Sequence, residues 1–282
     1  MAGRGRGRYK AAMASPTNSR PPRRGPPPQR RPRPGTRPPA EGPLHLYGLH
    51  TVEFALKNPA RTSRKLLATL NAAARLAERF PEGLPIEPEL VRPQELDRLV
   101  GPDAVHQGAV LLAEPLEPPD LAALGPAALV LVLDQVTDPH NVGAILRTAC
   151  ALGAAAVITT ERHSPAESGV LAKAASGALD LVPFIHVRNL GDAIETLKRE
   201  GFQVVGLDSE GEAPLARTPM RAPLALVLGS EGKGLRQKTR GLCDVLARIE
   251  LPGPIKSLNV SNACALALYA ASEAIGAADR GA

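Results

Sequence analysis

Three short runs in the second half of this chain hold the residues best suited to chemistry. The first reads Asp138-Pro139-His140-Asn141-Val142-Gly143-Ala144-Ile145-Leu146-Arg147-Thr148-Ala149. The second is Leu228-Gly229-Ser230-Glu231-Gly232-Lys233-Gly234-Leu235, and the third is Leu251-Pro252-Gly253-Pro254-Ile255-Lys256-Ser257-Leu258-Asn259-Val260-Ser261-Asn262-Ala263. Each places small and polar residues at the end of an apolar run, where an α/β sheet builds its site. In the first, Val142, Ile145, Leu146, Ala149 and Leu152 form one apolar stripe at helical spacing, and Asn141 is expected to cap that helix. Arg147 lies off the stripe. Gly143 and Ala144, one turn back, are too small to cover it, so its guanidinium can reach an anion. In the second, three glycines between Gly229 and Gly234 argue for close backbone approach to a ligand. It is not a phosphate-binding P-loop, because Lys233 precedes the last glycine and no Ser or Thr follows. In the third, Ser257 and Asn259 are good cap residues, and free N–H groups at a helix start can hold a ligand.

These runs need a scaffold, and the hydrophobic pattern supplies one. Apolar runs at 128–133, 155–159, 181–187, 203–207, 224–228 and 247–251 are bounded by turn formers, as buried parallel strands are. Helical patterns lie at 142–152, 168–178 and 190–200, with Gly153 and Gly201 where C-terminal caps belong, and a last helix is expected over 258–274. The pattern predicts a doubly wound α/β domain over 127–278. The first run ends without GxGxxG, which argues against an ordinary dinucleotide site. Upstream, 44–114 reads as a small α/β unit. Its elements are a short helix after Gly48, a strand at 65–69, a helix over 72–80 capped by Asn71, a helix over 93–100 and a strand at 107–113. Residues 115–126, rich in Pro and Gly, read as a linker.

Composition bounds the rest. The 282 residues are 44% hydrophobic, enough for a sizeable core. The formal charge of +6 is unevenly spread. Residues 1–43 hold ten Arg and one Lys against Glu41, together with 11 of the 29 prolines, so the body is slightly acidic. That tail is expected to be disordered and to tether polyanions, since arginine pairs well with phosphate. No run of 18 apolar residues exists and the first residues lack an apolar segment, so neither a membrane span nor a secretory signal is expected. Cys150, Cys243 and Cys264 show no metal-ligand spacing, so no metal is expected and a cytoplasmic, reducing setting fits.

Taken together, the three runs resemble the SpoU (TrmH-like) branch of the SPOUT RNA 2′-O-methyltransferases, over roughly 44–278. The segments Leu46-Tyr47-Gly48-Leu49-His50-Thr51-Val52 and Ala104-Val105-His106-Gln107-Gly108 look like the ribosomal-protein-like RNA-binding domain found in the large-subunit rRNA guanosine methyltransferases of that family. The resemblance implies a parallel sheet with a C-terminal trefoil knot, a homodimer, S-adenosyl-L-methionine as methyl donor, and large-subunit rRNA or a ribosomal precursor as partner. It implies catalytic roles for Arg147, Asn141, Glu231, Asn259 and Ser261. Cofactor contacts would come from Gly229, Gly232, Leu251, Leu258, Asn259 and Leu207. One departure is the short path from Pro252 to Ser257, where many relatives carry about two more residues; it bears on Leu251 most.

The implied reaction needs in-line placement of sulfonium, methyl and oxygen, so positioning carries much of the catalysis. It also needs the 2′-hydroxyl to lose its proton. The family assigns that proton to the arginine matched by Arg147, although a guanidinium holds its own proton below about pH 12. Two roles for Arg147 stand open, base or phosphate anchor. Competing readings are a tRNA ribose methyltransferase, against which the N-terminal unit argues, and a non-catalytic RNA-binding ribosome assembly factor, against which the intact polar set argues.

Overall fold

The chain builds its small sheet first. In a computed structural model describing residues 43–117, 119–124 and 129–281, strands β1 (Leu44–Tyr47), β2 (Ser63–Ala68), β3 (Pro88–Leu90) and β4 (Ala109–Ala113) lie in the order β1-β4-β2-β3. β4 is antiparallel to β1 and β2, and β3 is parallel to β2. Helices α1 (Leu49–Lys57), α2 (Leu70–Ala77) and α3 (Pro93–Val100) cover the sheet. Strand alternation sends Leu46, Leu66 and Leu111 to one face, against Val52, Ala55 and Leu76. Tyr47, Leu67 and Val110 point the other way, against Leu96 of α3.

The larger sheet has seven strands: β5 (Leu129–Asp134), β6 (Ala156–Thr160), β7 (Phe184–Val187), β8 (Gln203–Leu207), β9 (Ala213–Pro214), β10 (Leu224–Gly229) and β11 (Val245–Arg248). Their order is β7-β6-β5-β10-β8-β11-β9, and every pairing is parallel. Such a sheet must bury both faces. Helices α4 (Pro139–Ala151), α5 (Gly169–Ala175) and α8 (Val260–Gly281) cover one, over Leu131, Leu133, Val157, Leu226 and Leu228. Helices α6 (Leu190–Arg199) and α7 (Gln237–Leu242) cover the other, over Val130, Val132, Ile158, Val204 and Val227.

Several local expectations are corrected. Asn71 does not cap α2. Thr69 does, accepting from the Ala72 amide at 3.3 Å, and the helix ends at Ala77. Asn141 does not cap α4. Asp138 accepts from the His140 amide at 2.9 Å, and Pro139 supplies the preset φ of the first helical position, which moves the start back and leaves Asn141 in the first turn. Run 181–187 narrows to Phe184–Val187, because a 3₁₀ turn at 178–180 precedes it. Helix 168–178 stops at Ala175, where Ser176 takes φ 52°. Run 247–251 shifts to Val245–Arg248, which puts Leu251 beyond the strand. The last helix begins at Val260 rather than 258. Strands β1, β3 and β9 and helix α7 were not anticipated; each has six residues or fewer, too short for a periodic signal. Gly153 and Gly201 do follow their helices with positive φ, 73° and 88°. The tail expected over 1–43 lies outside the described residues except at Pro43, as do parts of the linker expected over 115–126.

The two sheets share one core cluster and a buried ionic junction. The Arg61 side chain is 0% exposed and donates to Asp180 Oδ1 at 2.9 Å, to the Glu114 carbonyl at 3.0 Å and to Glu167. Glu167 also accepts from the Leu116 amide at 2.8 Å, and Asn58 donates to Asp180 at 3.1 Å. Burial pushes the Glu167 carboxyl above the usual carboxylate range, against the pull of Arg61. Removing one partner of a buried set strands the others without compensation. Arg61→Met is therefore expected to cost about 3–5 kcal/mol, read as a lower denaturant midpoint. A wild-type midpoint would show that the junction contributes nothing.

Candidate active site

Strands β5 and β10 end side by side, with Gly229 paired to Asp134. Strand order reverses there: β6 and β7 extend one way, β8 and β11 the other. Open α/β sheets bind ligands at the carboxyl ends of strands on either side of such a point. Three loops leave these ends, after β5, β10 and β11.

The first loop leads into α4. Gly143 packs α4 tightly on α5; a Cβ there would lie 2.7 Å from the Leu171 carbonyl oxygen and 2.9 Å from the Ala175 amide. The second loop, Gly229 to Arg236, closes on itself. Ser230 and Gly234 form a bridge, with the Gly234 amide 2.9 Å from the Ser230 carbonyl. The loop is then tied back to its origin. Arg236 donates through Nε to Asp134 Oδ1 at 2.6 Å and through its backbone amide to Oδ2 at 3.1 Å. Asp134 is fully buried, and Arg240 of α7 pairs with Asp208 after β8 at 3.1 Å. Sequence reasoning missed Asp134, Arg236, Asp208 and Arg240. One signal was present, an acid closing an otherwise apolar six-residue strand. The third loop, 249–259, ends at Asn259, whose Oδ1 caps α8 by accepting from the Ser261 amide at 2.9 Å and hydroxyl at 2.5 Å.

The side chains at the three loop ends converge. Glu231 Oε1 accepts from Asn141 Nδ2 at 3.0 Å, Asn259 Nδ2 at 2.6 Å and the Val260 amide at 3.2 Å. Asn259 Nδ2 also donates to Asn141 Oδ1 at 2.9 Å. Both amides are thus oriented by a single carboxylate, and Ser261 joins through Asn259. Glu231 Oε2 takes no donor among the described residues. Arg147 stands outside this network. It is exposed and makes no hydrogen bond or ion pair among the described residues. It lies six residues beyond Asn141, ~9 Å along the helix axis, with its Cα–Cβ bond tilted back toward that end.

The remaining candidates line the strand ends toward β8 and β11. Leu207 and Leu251 are half-buried, and Leu258 is exposed. A Cβ on Gly232 would meet open space, so its backbone is approachable. Lys256 Nζ donates to the Leu251 carbonyl at 2.7 Å, holding the short 252–257 path.

Residues 128–269 match the SpoU rRNA Methylase family, and residues 45–119 match the family described as RNA 2'-O ribose methyltransferase substrate binding. The protein named 23S rRNA (guanosine-2'-O-)-methyltransferase RlmB from Ralstonia nicotianae is 38% identical over 233 residues, covering 80% of this chain and 94% of that protein. Its namesake from Xylella fastidiosa (strain Temecula1) is 40% identical over 236 residues, covering 80% and 94%. Among solved structures, the SpoU methyltransferase AviRb from Streptomyces viridochromogenes in complex with AdoMet is similar with a TM-score of 0.70 and 25% identity, over 82% of this chain and 90% of that one.

Proposed function

The chain belongs to the SpoU rRNA methylase family, and from that premise we propose that it methylates the ribose 2′-hydroxyl of a guanosine in large-subunit rRNA, with S-adenosyl-L-methionine as donor. The observation that carries the reading is the convergence of Asn141, Glu231 and Asn259 at the β5/β10 boundary. The relatives named above are guanosine methyltransferases of 23S rRNA, and the AviRb structure was solved with AdoMet.

The residues fit that donor. Leu207, Leu251 and Leu258 would flank its apolar ring, while the backbone at Gly229 and Gly232 and the Asn259 region would take its polar edges. When bound, it supplies an electrophilic methyl on a sulfonium. The protein's part is placement. Arg147, exposed on α4, binds a phosphate beside the target ribose and orients the 2′-oxygen, whose proton is released to water once the oxygen is methylated. Glu231 locks the two asparagine amides, which hold the ribose edge. Its second oxygen is open to receive the Arg147 guanidinium once RNA is seated.

Two further features belong to the same proposal. A homodimer is supported by the outer stripe of α8, where Leu266 and Tyr269 are 49% and 61% exposed beside Asn262. The trefoil knot implied by the resemblance is supported by β10 lying between β5 and β8, and by α8 returning to pack on α4. No helix among the described residues is long and apolar enough to cross a membrane.

The test is methyl transfer from labelled S-adenosyl-L-methionine to unmodified large-subunit rRNA and, separately, to bulk tRNA. Label at a guanosine ribose of the rRNA is the expected result. Label only in tRNA would replace the substrate, and none in either would favour an assembly factor.

A further inference from the structure

The Gly48–His50 and His106–Gly108 segments have no part in the site described so far, yet they meet an element of the large sheet. Gln107, held at φ 54°, accepts through Oε1 from the Leu49 amide at 3.1 Å and from Lys173 Nζ at 2.9 Å. Lys173 belongs to α5. Its ammonium packs over Gly48 and has no carboxylate within 4 Å among the described residues. Burial holds its pKa below the usual lysine range. The group is a partly desolvated cation lacking a counter-charge.

A cleft opens beside it between α1 and α2. His50, Glu53, Arg75, Arg79 and Gln107 line it, over an apolar floor of Leu49 and Leu76. Glu53 is its one acid, and both of its oxygens are taken, by Lys57 at 2.7 Å and Arg79 at 2.9 Å. Arg75 is exposed and has no ion pair among the described residues. The balance is cationic, and the lining has no Phe, Tyr or Trp to serve as a base-stacking platform; its single ring is the small imidazole of His50. This chemistry suits the phosphates of a nucleic-acid backbone, not its bases. The cleft also lies close to the active-site helix. α5 runs against α4, with Gly143 seated on Leu171, Ala174 and Ala175. α5 therefore touches the cleft side through Lys173 and, through Leu171, Ala174 and Ala175, the helix that carries Asn141 and Arg147.

We infer that the α1/α2 cleft, with Lys173 of α5 bound to Gln107 at its edge, holds the sugar–phosphate backbone of the RNA strand being modified. The inference rests on the RNA methyltransferase reading for the identity of that strand. It assigns Arg75, Arg79 and Lys173 as phosphate contacts and His106 as a structural residue. His106 accepts the Gly108 amide at Nδ1, at 3.0 Å, so its Nε2–H donates to Asp97 Oδ1 at 3.1 Å, and the ring shapes the turn that presents Gln107.

The experiment uses the full chain with Arg75→Glu and, separately, Lys173→Met. Arg75 has no ion-pair partner to lose among the described residues, so its variant tests the cleft even if the lysine change disturbs the Gln107 contact. Binding of a labelled large-subunit rRNA fragment is read by fluorescence anisotropy across a salt series, beside methyl transfer and cofactor binding. Arg75→Glu is expected to raise Kd about tenfold and to flatten the log–log salt slope by about 1, uniformly across RNA sequences. The loss in transfer should fall on KM for RNA. Wild-type affinity and slope in both variants, with methyl transfer intact in the wild type, would overturn the cleft. Charge-dependent binding without any methyl transfer by the wild type would support the cleft and sink the methyltransferase reading.

Discussion

Replacing Arg147 with alanine is expected to lower methyl transfer about 10³-fold, the range seen when a positioned catalytic group is lost, while thermal stability and cofactor binding stay at wild-type levels. The separation follows from its surroundings. The side chain is exposed and makes no hydrogen bond or ion pair among the described residues, while Val142, Ile145, Leu146 and Ala149 hold α4 in the core. Truncation therefore leaves no cavity and strands no partner. Whatever is lost is lost toward RNA. Arg147→Lys separates the phosphate-anchor role proposed above from the base role that the resemblance implies. A lysine keeps the point charge and gives up the planar fork. Partial activity that falls steeply with salt would mark a phosphate anchor; a loss as deep as that of alanine would mark a role needing the guanidinium itself. Alanine at 147 with near wild-type transfer would remove this residue from the mechanism.

Gly229→Ala should damage the fold and the site together. A Cβ there would overlap the carbonyl carbon and oxygen of Gly234 and the amide of Leu235, all backbone atoms that cannot swing aside. Overpacking of this kind costs about 1–3 kcal/mol. The loop can relieve it only by opening, but Arg236 ties its far end to Asp134. Opening would carry Glu231 away from Asn141, Asn259 and the Val260 amide together. We expect a lower melting temperature and loss of both methyl transfer and cofactor binding, read by calorimetry. Gly232→Ala is the contrast, since its Cβ meets open space at φ 76°; only left-handed strain of about 1–2 kcal/mol applies. Equal, mild effects of the two changes would show that loop closure does not hold the site.

Local sequence determined the strands and helices that are long and apolar. Runs such as Leu129–Asp134 and Leu224–Gly229 are buried on both faces, and that demand is written in consecutive residues. The same holds for the α4 stripe and for glycines ending helices; Asn141, Arg147, Glu231 and Asn259 became site candidates through the resemblance of the three runs to a family. Elements without a period of their own were not legible. β9 has two residues and β3 three, and each exists because a neighbouring strand offers its edge. The caps moved for a local reason that periodicity does not show, since Thr69 and Asp138 precede the apolar stripes they serve. Tertiary structure alone decided which ends meet. Asn141 and Glu231 are 90 residues apart, and Asn141 and Asn259 are 118 apart. They touch because β10 inserts beside β5, a choice made by the packing of two helix layers. The buried partners of Arg61, 106 and 119 residues away, and the pairing of Asp134 with Arg236, 102 residues apart, have the same origin. A charge is matched inside a protein by whatever the fold brings within reach, and no spacing along the chain records that distance.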